Sequence, residues 1–447
     1  MNSPILRFIN KYILPCYFLL FVAILAVRDF TGMQVSQLFM LAYVSILILF
    51  ADYKSLTYYT ALLMPMLCGI FLFLIAFLYL GVILKAPKKP NRYQIGFAVV
   101  LILIEALDQL LFATQLRTYD ITRIFLYGSF LLTTSYFVFL PDGLVDRKCF
   151  VRCYCYGTFI TLAIILCSTI IQWGFLHLLT GYRIGDVSAY SDLHDESQAM
   201  FGLNSNNLAY YSLYSLATLL VGRKKLEFNS ILYWILFIGV LGIGLLSFSR
   251  TFIVLAAFFI FITTLTSFNI KKIIAGLIIV VGVGSYALVE FKGIEEVYKN
   301  RFSASDVKSG GDRTDLFAHY NDFFVSNPEL WFFGTGVVYY KDVCKQENSI
   351  HNATQQIYIT TGIVGLLIFA LSIYVFFKRR MVRGVYIDYY IPAMAVFLFL
   401  QTLQVLNPME LMCPITLACM TLCIGAEEKK RTLSIRKKNE NRLINVS

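Results

Sequence analysis

Residues 230–268 read SILYWILFIGVLGIGLLSFSRTFIVLAAFFIFITTLTSF, thirty-nine positions with a single charged side chain, Arg250. The apolar runs around Ser249-Arg250-Thr251, Ser230 to Ser247 and Thr251 to Phe268, are each about as long as a bilayer crossing requires. No hydrophilic loop separates them, so they read as two membrane-spanning helices joined by a tight turn. The rest of the 447-residue chain repeats the pattern, with 58% hydrophobic and only 15% charged residues. That composition excludes a secreted disulfide scaffold, a disordered chain and a set of ordinary soluble domains. The first apolar run, Ile13 to Val27, lacks a small-residue cleavage site and is followed by more spans, which makes it a retained helix.

The formal charge of +11 is dealt out in short clusters between apolar runs, which suits topology rather than nucleic-acid binding. The tail after Glu427 holds Lys429, Lys430, Arg431, Arg436, Lys437, Lys438 and Arg442 and is assigned to the cytoplasm by positive-inside bias. Working back from it, spans fall near Met409 to Gly425, Tyr386 to Leu406, Ala353 to Phe377, Ile273 to Glu290, Thr251 to Phe268, Ser230 to Ser247, Asn206 to Val221, Cys155 to Leu179, Ile121 to Leu140 and Ile95 to Leu116. The inner turns then carry Arg379, Lys271, Lys224, Lys148 and Lys85 with their basic neighbours, and the short outer turns only Arg117 and Arg183. Three further runs, Ile13 to Val27, Val35 to Phe50 and Thr57 to Leu84, precede these. Taking the short second run as re-entrant leaves both termini inside.

The expected fold is therefore an all-α polytopic integral membrane protein with about twelve transmembrane helices, thirteen if every run crosses. Its parts are N-terminal transmembrane segments (1–94), a central bundle (95–290) with a short outer loop at 181–205, a large extracytoplasmic loop (291–352) carrying short helices, C-terminal transmembrane helices (353–425) and a basic cytoplasmic tail (426–447). The ten cysteines lie mostly inside apolar runs, where they act as small hydrophobes, and only Cys344 falls in the large loop.

Function is expected in the two long outer segments. In the larger, Ser309-Gly310-Gly311-Asp312-Arg313-Thr314 leads into Leu316, Tyr320, Phe323 and Phe324 on one helical face. This reads as a helix lying on the membrane surface, capped by Asp312, with Arg313 in its first turn where an oxyanion or phosphate could bind. The plainer alternative is a capped helix with a solvated arginine. Arg250 opposes the charge asymmetry at an outer boundary and so must snorkel, bind an anion, or pair with Glu105 or Asp108 inside their apolar span. His351 precedes Asn352 and Gln355, which stand at capping-box spacing, and a positive helix end disfavours an imidazolium there. Neutral His351 could accept a proton from a hydroxyl, or it could be a hydrogen-bonding spacer.

Asp192, His194, Asp195 and Glu196 have metal-ligand chemistry without metal-site spacing, and Cys149, Cys153 and Cys155 lack partners at zinc spacing, so neither metal nor cofactor is expected. Without a P-loop or a dinucleotide glycine motif, a soluble nucleotide donor is not expected either.

Five short pieces together resemble the family of bacterial O-antigen ligases and Wzy-type polysaccharide polymerases. They are Asn204-Ser205-Asn206-Asn207-Leu208-Ala209, Ser249-Arg250-Thr251, Asp312-Arg313-Thr314, Phe333-Gly334-Thr335-Gly336, and His351-Asn352 followed by Thr361-Gly362-Ile363-Val364-Gly365. The resemblance implies an inverting, metal-independent glycosyl transfer from a glycan carried on undecaprenyl diphosphate, at the outer face of the bacterial cytoplasmic membrane. It implies that Arg250 and Arg313 hold the lipid diphosphate, that His351 acts near the acceptor hydroxyl or the leaving group, and that Ser249, Asn206, Asn207 and Asn352 contact substrate. Leu203 and Thr360-Thr361 depart from the family pattern and leave a carboxylate base open among Glu347, Asp315 and Asp108, with His194 a further candidate. The expected activity is an O-antigen or capsule repeat-unit polymerase, with a ligase and a transporter of polyisoprenoid-linked sugars as rivals. Expected partners are the lipid-linked glycan, the bilayer and a chain-length regulator, with no nucleic acid.

Overall fold

The computed structural model describes residues 8–31, 33, 35–67, 72–90, 92–112, 132, 136, 144–173, 205–266, 313–336, 340–346, 350, 352–380, 385–400 and 408–444. Every regular element among them is helical. A short π-turn, Ile9–Ile13, runs into α1 (Leu14–Thr31), followed by α2 (Gln37–Phe50), α3 (Tyr53–Leu67), α4 (Leu72–Lys85) and α5 (Arg92–Phe112). Next come α6 (Arg147–Trp173), α7 (Ser205–Leu220), α8 (Ser230–Leu246) and α9 (Arg250–Thr266). The C-terminal part holds α10 (Arg313–Ser326), α11 (Tyr340–Val343), α12 (Ala353–Arg380), α13 (Ile391–Leu400) and α14 (Pro408–Ile444). Two stretches, Ile9–Thr31 and Arg147–Ile171, are long and apolar enough to cross a bilayer, and seven shorter apolar helices accompany them among the described residues.

The centre of the bundle is α7, buried at every position from Leu208 to Val221 and packed against α6, α8, α9 and α13. An all-round buried helix should be apolar throughout, yet α7 contains Ser212, Ser215 and Thr218. Thr218 returns its hydroxyl proton to the Tyr214 carbonyl one turn back, at 2.8 Å. Thr57, Thr60, Thr158, Thr161 and Thr169 do the same on α3 and α6. These six threonines satisfy their hydroxyls within their own helices. The close crossing of α3 and α6 depends on Gly157, where a Cβ would lie 2.0 Å from the Leu62 carbonyl oxygen. Small residues at such crossings let backbones approach without side-chain interference.

One end of the bundle is tied by charge. Lys148 bridges Glu227 at 2.8 Å and Glu428 at 3.1 Å, Arg152 donates to the Glu227 carbonyl at 2.8 Å, and Arg147 pairs with Glu427. Lys225 pairs with Asp388 and stands over the rings of Tyr386 and Tyr389, whose own hydroxyl meets Glu428. These contacts join the start of α6, the α7–α8 turn, the Ile387–Tyr390 3-10 turn and α14. Lys54 shares a cleft with Arg147, and Lys85 donates to the Leu49 carbonyl at 3.0 Å. Asn10 is held there as well, accepting from the Asp52 N–H at 3.0 Å. The described basic turns, those of Lys85, Lys148 and Lys225, thus meet at one end, together with both described ends of the helical bundle.

Three boundaries differ from the sequence reading. The run Thr57 to Leu84 is corrected from one span to two helices, α3 and α4, of 15 and 14 residues. They run antiparallel, with the Tyr79 hydroxyl donating to the Met64 sulfur at 3.3 Å and Lys85 returning beside Ala51. Each is about 21–23 Å long, shorter than the ~30 Å hydrocarbon core of a bilayer. At the second boundary, α6 starts eight residues before Cys155 and takes Arg147, Lys148 and Arg152 into its first turns, because Glu227, Glu427 and Glu428 pair with them. Third, α14 continues without interruption into the basic tail as far as Ile444.

Gly157→Ala should lower the thermal midpoint in detergent, at a cost of about 1–3 kcal/mol for forcing α3 from α6. Gly242→Ala is the control, since its Cβ would meet nothing within 4 Å. Equal midpoints for the two variants would remove the close-crossing argument.

Candidate functional site

The α8–α9 hairpin turns through Ser247, Phe248 and Ser249. Phe248 adopts φ +50°, a left-handed conformation uncommon outside glycine, and the Ser247 hydroxyl donates to the Gly244 carbonyl at 2.6 Å. Gly244 is needed because a Cβ would lie 2.1 Å from the buried Phe252 ring. Ser249 is buried, its carbonyl accepts from the Ile253 N–H at 3.1 Å, and Arg250 is the first residue of α9, half-buried. The Tyr233 hydroxyl reaches the Leu219 carbonyl at 2.9 Å, so α7 and α8 are antiparallel. They have 16 and 17 residues, which brings the start of α7, with Asn206 and Asn207, to the end that carries Ser249 and Arg250. The side chains of Asn206 and Asn207 lie outside the described part.

A second part of the site is a small body with its own core of Leu316, Tyr320, Phe324, Leu330, Tyr340, Cys344, Ile350 and Ile359. The expectation that the α10 face lies on a membrane surface is corrected here. Leu316, Tyr320 and Phe324 turn onto α11 and α12 instead, with the Phe324 and Tyr358 rings 4.4 Å apart. Asn352 caps α12 by accepting from the Gln355 N–H at 3.1 Å. The reciprocal half of the capping box is corrected too, since Gln355 donates to the Phe317 carbonyl at 3.0 Å and to Asn321 Oδ1 at 2.9 Å. His319, which the sequence reading passed over, sits 3.0 Å from the Cys344 carbonyl. Burial pushes the Cys344 thiol up to about 12 and also raises the Tyr320 hydroxyl above its ordinary range.

Contacts 317 to 355 and 324 to 358 advance together along both helices, so α10 runs in the same sense as the start of α12. Their N-termini therefore share one side, bringing the backbone of Arg313 within about a turn of the contact that Gln355, one turn below Asn352, makes with Phe317. The Arg313 side chain, Asp312 and His351 lie outside the described residues, as do Glu347, Asp192, His194, Asp195, Glu196 and the side chains of Glu105 and Asp108. Asp315 is exposed in the first turn of α10.

The loop body leads to a break in α12. Gly362 has φ +64° and ψ −167°, a region that only glycine enters freely. A straight helix would bond the Ile363 and Val364 N–H groups to the Ile359 and Thr360 carbonyls. Here those N–H groups donate to the carbonyls of Trp331 and Phe332, at 2.8 and 3.2 Å. The released carbonyls of Ile359 and Thr360 accept from Thr335 and Gly336, at 3.0 and 2.9 Å. Two helical bonds are exchanged for four across the break, so none of these four released groups is orphaned. A Cβ on Gly334 would lie 2.4 Å from the Thr360 carbonyl carbon and one on Gly362 would lie 2.3 Å from the Phe332 oxygen, which accounts for both glycines.

The described part of the chain is thus helical, with a Ser-Arg hairpin and a compact loop body that closes on a broken helix. Residues 234–370 match the family model described as O-antigen ligase, so over this stretch the chain resembles the O-antigen ligase and Wzy-type family. The matched segment takes in the Arg250 hairpin, α10 and the whole Gly362 break. No curated protein matches the chain.

Gly362→Ala should destabilise the protein by about 1–3 kcal/mol through backbone strain, read as a lowered melting midpoint. Cys344 should resist a polar maleimide at pH 8 in the folded protein and react once it is denatured, because a thiol with its pKa raised to about 12 carries almost no thiolate at that pH. Rapid labelling of the folded protein would contradict its burial.

Proposed function

We propose that the chain is a polytopic membrane glycosyltransferase that joins undecaprenyl-diphosphate-linked repeat units at the outer face of the bacterial cytoplasmic membrane. The observation that carries this reading is the family match over 234–370, which contains Arg250, Arg313 and His351 in the order the motifs require. Two features support a bilayer setting. Large apolar side chains are exposed around the bundle, including Leu19, Leu38, Leu103, Ile238, Val254 and Leu367, and the basic turns gather at one end.

In the proposed reaction an acceptor hydroxyl attacks the anomeric carbon of the donor glycan. The bond from that carbon to the diphosphate oxygen breaks, the lipid diphosphate leaves, and the hydroxyl proton passes to a base. Arg250 and Arg313 neutralise the charge that grows on the departing diphosphate, and a preorganised cation in that position is worth several kcal/mol. His351, just ahead of the α12 N-terminus, orients the acceptor or takes its proton. Ser249, Asn206, Asn207 and Asn352 line the substrate, and a chain-length regulator is a candidate partner. A second reading, transfer of the finished glycan to a separate acceptor, is favoured by the description of the matching family as an O-antigen ligase.

The test is glycan length on gels from a deletion strain complemented with wild type, Arg250→Ala, Arg313→Ala or His351→Ala at matched expression. Each arginine variant should reduce product by about 10²-fold or more. Single repeat units on the final acceptor in the deletion strain mark a polymerase, whereas long glycan held on the lipid diphosphate marks a ligase. Full activity of both arginine variants would sink the site.

A further inference from the structure

We propose that the turn Trp331-Phe332-Phe333 is an aromatic anchor seated in the outer leaflet of the bilayer, at the boundary between head groups and hydrocarbon, where it fixes the height of the loop body. This rests on the membrane reading given above. The three side chains are 38%, 63% and 44% exposed, and neighbouring Val325 is 67% exposed. An exposed apolar cluster of this kind calls for an occupant. The turn is also held firmly. The Trp331 and Phe332 carbonyls accept from Ile363 and Val364, Gly334 N–H donates to the Leu330 carbonyl at 2.8 Å, and the Trp331 indole N–H donates to the Phe324 carbonyl at 2.8 Å. With its polar atom already satisfied, the indole presents only ring to its surroundings.

The position of the turn along α12 identifies the occupant as lipid. From the break to Arg380, residues 363–380 form about 27 Å of helix, close to the ~30 Å hydrocarbon thickness, and end on Lys378, Arg379 and Arg380. Gly362 therefore falls at the outer boundary when those cations face the cytoplasm. The exposed face of α12 below it, Leu367, Leu371 and Tyr374, continues the spacing that starts at Val364, the residue bonded to Phe332. The aromatic turn and this stripe make one apolar surface. Aromatic side chains are enriched at this level of membrane proteins. Above it, the nine residues 353–361 lift the α12 N-terminus about 13 Å, so the anchor sets how far that helix end stands from the hydrocarbon.

The chain has three tryptophans, Trp173, Trp234 and Trp331. Full-length protein in phosphatidylcholine–phosphatidylglycerol vesicles would be prepared with Trp331 alone (Trp173→Phe, Trp234→Phe), and with Trp234 alone (Trp173→Phe, Trp331→Phe) as the reference for an exposed residue on α8. Trp331 fluorescence should be quenched at least twofold more by lipid brominated near the top of the acyl chain than by lipid brominated near its end, and little by aqueous iodide. Phe332→Ser with Phe333→Ser should at least double the iodide quenching. Trp331 quenched by iodide alone, with Trp234 quenched by lipid, would overturn the anchor and leave the membrane reading intact. Strongest quenching of Trp331 from the chain end would overturn the assigned height. Lipid quenching of neither residue would overturn both readings together.

Discussion

The four backbone hydrogen bonds across the Gly362 break are the constraint on which the C-terminal half depends. An unpaired backbone N–H or carbonyl in an apolar setting costs about 1–3 kcal/mol or more, so a helix opens there only where another backbone closes it. Residues 331–336 provide that closure, donating to the carbonyls of Ile359 and Thr360 and accepting from Ile363 and Val364. Thr360 and Thr361 reinforce the free end by returning hydroxyl protons to Gln356 and Ile357, each at 2.7 Å. Irregular backbone in a membrane protein is tolerated only where protein or water satisfies it, and here protein does so directly.

The described helices were legible in the sequence as apolar runs, and the basic turns at Lys85, Lys148 and Lys225 as clusters that meet at one end of the bundle, while the runs Ile121 to Leu140 and Ile273 to Glu290 lie almost wholly outside the described residues. The α3–α4 turn was not, since Pro65-Met66-Leu67-Cys68-Gly69 lies inside an unbroken apolar run and hydropathy cannot separate a buried turn from a continuing helix. Charges marked where apolar character stops, whereas helix α6 and helix α14 extend through them, held in α6 by Glu227, Glu427 and Glu428.

The site was readable as motifs and not as geometry. Phe333-Gly334-Thr335-Gly336 and Thr361-Gly362 stood out as separate fragments, and only the fold makes them the two sides of one contact, about 25 residues apart along the chain. Gln355 shows the limit of local rules. Its spacing from Asn352 fits a capping box, but tertiary contact drew its amide to Phe317 and Asn321, leaving Asn352 to cap alone. Arg28 and Asp29, both buried near the Ser168 end of α6, follow directly on the apolar run that ends at Val27, and hydropathy alone does not separate buried charges there from an exposed turn.

These contacts divide the proposed catalytic groups between two separately built supports. Arg250 is placed by a hairpin whose shape depends on Gly244 and Phe252, whereas Arg313 opens α10, a helix tied to the start of α12 by Gln355 and packed into the core that includes Ile359 at the break. Stabilising charge on a leaving diphosphate requires donors already in position, because reorganisation during the reaction consumes the gain. Two rigid supports meet that need only if their spacing is also fixed. That role falls to the bundle core, which takes in α7 beneath the hairpin and Ala353 and Ile357 at the start of α12. A packing change far from any charged residue, at α7 or the first turns of α12, would therefore alter the distance between Arg250 and Arg313 while leaving each support intact.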